Sequence, residues 1–408
     1  MDYNKRKIIN DPVLGFITIP SEFLYDLIQH PVMQRLNRIK QLGLTSFVYP
    51  GTQHTRFQHS IGSMHLMNEA IAQLRAKGNE ITDDEATGVL AAILLHDIGH
   101  GPFSHALENS LVQDITHEEL SLLLIKRINE ETNGKLETAI SIFKNEYPKK
   151  FLHQLVSSQL DMDRLDYLSR DSFYSGVAEG TIGGARIIKM LNVSDDCLVV
   201  EAKGIYSIEN FLIARRLMYW QVYLHKTAVA AERMLVNILK RAKELSSQGI
   251  NLFASPALNY FLNNEANKTV FESKTEALNN FVLLDDSDIF CALKVWMNHS
   301  DTILSTLSQH FINRKLFKVK IETNPFSQND IDLLLNIYEK KFNLNTTEAS
   351  YFMSNVPITN DTYNSKNESV KILFNNGSLK DISEASDILN TSVLSKDITK
   401  YYLCYLHT

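Results

Sequence analysis

The sequence predicts a mainly α-helical protein with a small N-terminal hairpin and a mixed α/β C-terminal region. Apolar residues recur at helical spacing through most of residues 21–246. Glycines, prolines and N-cap residues divide that stretch into helices of ordinary length. After about residue 250 asparagine and serine become frequent, and short strand-like runs alternate with helical ones.

Taken in order, residues 8–19 alternate β-branched residues around Asp11-Pro12 and Gly15, the pattern of a hairpin. Helices follow over about 21–29 and 31–41, with Gly43 placed to cap the second. A helix over about 56–77 offers Ile61, Met64, Leu66 and Met67 to a core. The next opens on Asp83-Asp84-Glu85, acid where the helix dipole favours it, and runs into His96-Asp97. Helices are expected over about 103–112, 116–131, 134–146 and 149–160, the second capped by Thr116. Gly180–Gly184 reads as a flexible break, residues 197–207 as a hairpin around Lys203-Gly204, and about 208–246 as one long helix. Beyond it, Leu316–Ile321, Tyr351–Ile358 and Val370–Phe374 are strand candidates and Gln328–Phe342 a helix. This reading places a catalytic core in residues 1–250 and a C-terminal region, for assembly or regulation, in 251–408.

Lys and Arg number 41 against 47 Asp and Glu, a net charge of -6, which argues against a general nucleic-acid coat but leaves room for a local phosphate pocket. Cys197, Cys291 and Cys404 are far apart and form no CxxC pair, so neither a disulfide framework nor a cysteine-zinc site is indicated. No signal-peptide core follows the start, and no apolar run approaches the roughly 20 residues of a membrane span. A soluble, cytoplasmic protein with no membrane partner is expected.

The densest chemistry lies in His96-Asp97-Ile98-Gly99-His100-Gly101-Pro102-Phe103-Ser104-His105. Seven of the 13 histidines fall between His54 and His117, too many for a helix end that merely exposes imidazoles. Gly99, Gly101 and Pro102 break the helix and let His105 approach from a new direction. An imidazole beside a carboxylate suits a hard or borderline divalent metal better than a thiolate site does. His59 lies in the first turns of its helix beside Arg56, and His117 at a helix start. Residues 161–171 hold Asp161, Asp163, Arg164, Asp166, Tyr167, Arg170 and Asp171, which alone would describe a salt-bridged surface helix. Arg215, Arg216, Tyr219, Trp220, Tyr223, His225 and Lys226 form a stripe that reads mostly as packing, although such a face also suits a base and phosphates.

Together, His59, His96-Asp97 and Asp163 follow the H…HD…D order of the HD phosphohydrolases, a helical superfamily that holds a divalent metal with this set. The segments Gln34-Arg35-Leu36, Ile39-Lys40-Gln41-Leu42-Gly43, Tyr49-Pro50-Gly51, Arg56-Phe57-Gln58-His59-Ser60 and Asp161-Met162-Asp163-Arg164-Leu165-Asp166-Tyr167 narrow the resemblance. With Tyr223-Leu224-His225-Lys226, they are similar to the deoxynucleoside triphosphate triphosphohydrolases. That branch includes the SAM-and-HD-domain enzyme of animals and short bacterial relatives. The similarity runs over roughly residues 8–240, and the lack of room for a SAM domain favours the bacterial form.

The resemblance implies water attack on the α-phosphorus of a deoxynucleoside triphosphate, releasing a deoxynucleoside and intact triphosphate. It implies one divalent ion (Mn²⁺, Mg²⁺, Fe²⁺ or Zn²⁺) on His59, His96, Asp97 and Asp163, with Asp161 behind them. By the same resemblance His105 is the general acid, with His100 and His117 near the phosphates. Arg56, Arg164, Tyr167 and Arg215 would bind the triphosphate, Arg164 standing where the animal enzyme has lysine. Gln41 and Asp171 would recognise the 3′-hydroxyl, while Leu42 and Tyr223 would exclude a 2′-hydroxyl, whose unpaired burial is costly.

A homo-oligomer, dimer or tetramer, is a family expectation. The animal enzyme's guanine-effector pocket uses an acidic residue and an arginine where this chain reads Gln29-His30-Pro31 and Asn37. Activation by the same contacts is therefore not expected; an allosteric nucleotide of another specificity, or none, stays open. The competing readings are another HD hydrolase (a 5′-nucleotidase, cyclic-nucleotide phosphodiesterase or nuclease) and a nucleotide-binding regulator without turnover. Gln41, Arg164, Tyr167, Arg215 and Tyr223 favour a longer polyphosphate pocket over a minimal monophosphate site.

Overall fold

Each local signal resolves into an element whose ends are fixed by capping, and those ends carry the polar residues. The computed structural model describes residues 7–360, 369–387 and 398–407, apart from Asn109 and the side chains of His105 and Asn360. Strands β1 (Ile8–Asp11) and β2 (Gly15–Thr18) form the antiparallel N-terminal hairpin. Asp11 holds its turn by accepting from the Val13 and Leu14 amides, both at 2.9 Å.

Helix α1 (Glu22–Gln29) starts on a Ser21 cap, and α2 (Pro31–Arg35) has proline in its first turn. The second is shorter than its periodicity implies. It passes into a 3₁₀ turn at Leu36–Arg38, and Lys40 then forms a β-bridge with Thr55. Gly43 consequently begins another 3₁₀ turn, Gly43–Phe47, and does not cap α2.

Helices α3 (Arg56–Ala76) and α4 (Asp83–Leu95) pair in the core. In α4 every residue from Gly88 to Leu95 is buried, so this helix is apolar all round and sits at the centre of the protein. It ends at Leu95; His96 is its C-cap, and Asp97 to His100 form a turn beyond it rather than a further turn of helix. Helices α5 (Ser104–Glu108), α6 (His117–Glu131), α7 (Glu137–Phe143) and α8 (Lys150–Val156) follow, with a Thr116–Glu119 capping box starting α6. Helix α9 (Met162–Ser175) is capped by Asp161 and ends on the left-handed Gly176.

Two glycines set the closest approaches. A Cβ on Gly62 of α3 would lie 2.0 Å from Asp166 Oδ1, so α9 can lean its buried carboxylate directly over α3. A Cβ on Gly99 would lie 2.1 Å from the His117 carbonyl and 2.3 Å from the Ser121 amide. That contact brings α6 onto the turn, where Ser121 Oγ donates to the His96 carbonyl and accepts from the Gly99 amide.

Helix α10 (Gly184–Met190) leads into β3 (Leu191–Ser194) and β4 (Cys197–Glu201). This hairpin turns at Asp195-Asp196, both with positive φ, so the expected turn at Lys203-Gly204 lies too far along; those two residues form a 3₁₀ turn. The long helix expected over 208–246 is two, α11 (Ile205–Met218) and α12 (Lys226–Ser247), separated by a π turn at Tyr219–Tyr223.

The C-terminal region adds α13 (Pro256–Asn263), α14 (Lys268–Ser273), α15 (Thr275–Phe281), α16 (Asp286–Trp296), α17 (Thr302–Ile312), β5 (Lys318–Glu322) and α18 (Gln328–Phe342). Strands β6 (Met353–Asn360), β7 (Lys371–Leu373), β8 (Leu379–Asp381) and β9 (Ile398–Tyr405) follow, with short helices at Thr346–Ala349 and Ile382–Ala385. One sheet has the order β5-β9-β6; in the other, β3-β4-β7-β8, strand β7 lies parallel to β4 and joins the C-terminal region to the core. Fully buried Arg35 ties the two again, donating to the Leu284 carbonyl at 2.9 Å and the Ile98 carbonyl at 3.2 Å. Among the described residues no helix is long and apolar enough to cross a membrane.

Replacing Gly99 by alanine forces the α6 backbone away from the turn, and overpacking of this kind costs about 2–3 kcal/mol. The denaturant midpoint of Gly99→Ala is expected to fall accordingly; an unchanged midpoint would contradict the close approach.

Candidate active site

Three helix ends converge: the start of α3 brings Arg56 and His59, the end of α4 brings His96-Asp97, and the start of α9 brings Asp163. His59 Nε2 lies 3.0 Å from Asp163 Oδ1, 3.3 Å from His96 Nε2 and 3.9 Å from Asp97 Oδ2. His96 Nε2 lies 3.3 Å from Asp97 Oδ1 and 3.5 Å from Asp163 Oδ1.

The outer ring nitrogens are already used. His59 Nδ1 donates to Asp166 Oδ2 at 2.8 Å, and His96 Nδ1 donates to the Ile93 carbonyl at 2.6 Å. Both Nε2 lone pairs therefore point at each other and at two carboxylates, an arrangement that requires a cation or a proton between them. Bonds of about 2.1 Å give ligand–ligand edges of about 3.0–3.4 Å in octahedral or tetrahedral sites, close to the spacing here. His59, His96 and Asp163 could thus hold one divalent ion, with Asp97 beside His96 as the expected fourth ligand.

Behind the imidazole stands a buried chain of charge. Arg170 grips both oxygens of Asp166, at 2.9 and 2.8 Å, and donates at 2.7 Å to Asp11 of the N-terminal hairpin. Asp166 and Arg170 have no solvent exposure. Asp161 takes no part in this cluster: it caps α9, accepting from the Ser158 and Arg164 amides, and pairs with the Arg164 guanidinium.

A cavity of about 460 Å³ opens over the cluster. Arg56, Arg164, Tyr167, His100, His117 and Asp171 line it, as do Gln41, Leu42 and Tyr223. Arg56 Nη1 donates to Asp97 at 2.6 Å, while Arg56 Nε, Arg164 Nε and Gln41 Oε1 are buried without a partner among the described residues. At one wall, Asp171 accepts from Tyr223 at 2.8 Å and pairs with fully buried His54 at 2.7 Å. Arg215 stands outside the lining, donating to Gln159 at 2.8 Å. His105 belongs to α5, but its side chain falls outside the described residues.

This constellation has relatives. Residues 56–171 match the HD domain and residues 182–254 the HD associated region. An uncharacterized protein of Bacillus subtilis, YwfO, is 32% identical over 98% of this chain and 92% of its own length. A crystal structure of a phosphohydrolase from Bacteroides thetaiotaomicron superposes with a TM-score of 0.96 at 61% identity, covering 99% of this chain and all of that one.

The chain belongs to the HD-domain phosphohydrolase family.

More distantly, the deoxynucleoside triphosphate triphosphohydrolase SAMHD1 homolog of Dictyostelium discoideum is 33% identical over 60% of this chain. SAMHD1 of Bos taurus is 26% identical over 79% of it. The chain spans 51% and 60% of the lengths of these two relatives.

Electrostatics sort the HD-site histidines into different protonation states. Burial opposes charging His59, but its hydrogen bonds to Asp163 and Asp166 override this and push it up to about 10. Burial likewise works against Asp97, yet the charges of Arg56 and His96, with a hydrogen bond from His100, hold it well below the usual carboxylate range. His100, buried and close to Arg56, is pushed down to about 3 and is neutral. Its ring stacks at 3.9 Å on His117, which resists burial through Glu108 and Glu118 and rises to about 9. A neutral and a charged imidazole therefore lie face to face on the cavity wall.

Sequence reasoning missed Asp166, His54 and Glu118 as site residues. Asp166 carried a local signal, the i,i+4 spacing to Arg170. The partner of His54 lies 117 residues away in sequence, beyond any local pattern.

An ion entering this site displaces the His59 proton. Affinity is expected to rise with pH toward 10, by about tenfold per unit for each proton displaced. Calorimetry near pH 7.5 in buffers of different ionisation enthalpy then reads about one proton or more released per ion; no release would contradict His59 Nε2 as a ligand. Asp166→Asn, which loosens the ring without removing a ligand, is expected to weaken metal affinity about 10- to 100-fold. Unchanged affinity would mean that Asp166 does not orient His59.

Proposed function

We propose that this protein is a metal-dependent deoxynucleoside triphosphate triphosphohydrolase, cleaving dNTPs to deoxynucleoside and inorganic triphosphate. The observation that carries this reading is a single cleft joining the His59, His96 and Asp163 cluster, with Asp97 beside it, to guanidinium groups with unspent donors and to an Asp171–Tyr223 edge. The SAMHD1 relatives, whose names state this activity, support it.

When bound, a divalent ion (Mn²⁺, Mg²⁺, Fe²⁺ or Zn²⁺) on His59, His96, Asp97 and Asp163 would supply charge neutralisation and activation of water at the α-phosphorus. Arg56 and Arg164 hold phosphate oxygens through their free guanidinium edges. Charged His117, backed by Glu108 and Glu118, adds a third cation on that wall, with neutral His100 beside it as a hydrogen-bonding surface. Tyr167 offers its hydroxyl there, while Arg215 acts from behind the wall by its charge. In the reaction water's oxygen bonds to the α-phosphorus and the bond to the 5′ oxygen breaks; His105 supplies that oxygen's proton. Asp171 and Gln41 take the 3′-hydroxyl, and Leu42 with Tyr223 fills the space a 2′-hydroxyl would need, so dNTPs are preferred to NTPs.

Residues 1–250 carry the chemistry in this reading. Residues 251–408 serve assembly into a dimer or tetramer, and also lend Pro357 and Ile358 to a neighbouring cavity that Gln41, Leu42 and Tyr223 line as well. We assign the protein to the cytoplasm.

Chromatography after incubation with Mn²⁺ or Mg²⁺ and each dNTP, singly and mixed, tests this. Deoxynucleoside plus intact triphosphate is expected, lost at least about 1,000-fold in Asp97→Ala because a metal ligand and its charge are gone. Turnover in mixtures alone would add an allosteric nucleotide. Hydrolysis of ribonucleotides, monophosphates or cyclic nucleotides in place of dNTPs would overturn the reading.

A further inference from the structure

Away from the metal end, a second cavity of about 480 Å³ adjoins the cleft. Gln41, Leu42, Arg56, Tyr219 and Tyr223 line both cavities, so the two adjoin across a shared wall that includes Leu42 and Tyr223. With phosphates over the cluster and a sugar against that wall, the nucleobase of a dNTP points into the second cavity. This placement rests on the dNTP reading of the cleft.

The far side of this cavity is one face of α12, with Val229, Glu232 and Arg233, opposed by Pro357 and Ile358 of β6. Glu232 and Arg233 are consecutive residues, which cannot face each other squarely on a helix. Their closest approach is 3.6 Å, too long for a hydrogen bond, and Arg233 Nε is buried without a partner among the described residues. The contrast with Arg170, closed on Asp166 at 2.8 and 2.9 Å, is plain. An acceptor and a donor fork thus stand side by side, half-buried in a cavity that Leu42, Leu44 and Val229 also line, with their hydrogen-bonding capacity unspent. Holding such groups out of water costs free energy that a complementary ligand recovers.

We propose that this second cavity is the nucleobase subsite, and that Glu232 and Arg233 make it select guanine. Guanine presents two adjacent donors, N1–H and the N2 amino group, to match one carboxylate. It also presents two adjacent acceptors, O6 and N7, to match a guanidinium fork. Adenine and cytosine put a single amino donor beside an acceptor, and thymine a single donor between two acceptors. None of the three satisfies both side chains bidentately. Leu42, Leu44 and Ile358 supply apolar walls for the ring. The protein is accordingly a dGTP-preferring enzyme, and the C-terminal region closes its base site through Pro357 and Ile358.

The test measures kcat/KM for each dNTP separately with wild type, Glu232→Gln and Arg233→Lys, and the binding of deoxyguanosine and deoxycytidine to the full chain by calorimetry. Wild type is expected to favour dGTP by about 10- to 100-fold. Each substitution is expected to remove most of that preference, lowering kcat/KM for dGTP by more than for the other three dNTPs. Equal kcat/KM for the four dNTPs, or an equal loss for all four in both variants, overturns base selection and leaves the dNTPase reading intact. No turnover of any dNTP, with deoxyguanosine binding that Glu232→Gln abolishes, overturns the dNTPase reading and supports the guanine subsite. Absence of both turnover and deoxyguanosine binding overturns both.

Discussion

The hydrogen bond from His59 Nδ1 to Asp166 is the interaction on which the site depends. It fixes which ring nitrogen is free, aims Nε2 at His96 and Asp163, and ties that aim to the fold through Arg170 and Asp11. Burying these charges is expensive, and a buried ion pair is weak evidence for stability in itself. Removing one member strands another, however, so the chain from hairpin to imidazole stands or falls as a unit. The N-terminal hairpin thereby acquires a role in a site far from it in sequence, and Gly62 a reason for having no side chain.

The rest of the cleft follows from where helices stop. Apolar α4 delivers His96 at its C-terminus, and the contact at Gly99 presses α6 against the following turn, placing His117 over His100. Tyr223, in the π turn at Tyr219–Tyr223, donates to Asp171, and α12, which begins just beyond at Lys226, lines the second cavity with Glu232 and Arg233. Polarity is graded from one cavity to the next: a cluster suited to a cation, then cationic donors, then an aromatic and apolar wall, then an acceptor and a donor side by side.

Much of this was legible in the sequence, and the reasons are local. Helix α18 occupies Gln328–Phe342, as its periodicity predicts, and α3 starts at Arg56 because Gln58 accepts from the Thr55 amide. The H…HD…D order singled out His59, His96, Asp97 and Asp163, and the structure brings their side chains together. What stayed hidden is non-local or non-periodic. A π turn needs neither proline nor glycine, so nothing in residues 208–246 announces the break between α11 and α12. The early end of α2 depends on the bridge from Lys40 to Thr55, and the Asp166–His59 pairing spans 107 residues. In the β3–β4 hairpin the pair Asp195-Asp196 was a usable turn signal, since aspartate tolerates positive φ, but Lys203-Gly204 competed with it.

The most direct test of the central claim is an anomalous diffraction measurement on crystals grown with Mn²⁺. One strong peak bonded to His59 Nε2, His96 Nε2, Asp97 and Asp163 at about 2.0–2.3 Å is expected, with His59 Nδ1 still on Asp166. His100, Glu108 and His117 form the other cluster of donors among the described residues. A peak only there, or His59 turned away from Asp166, would contradict the account.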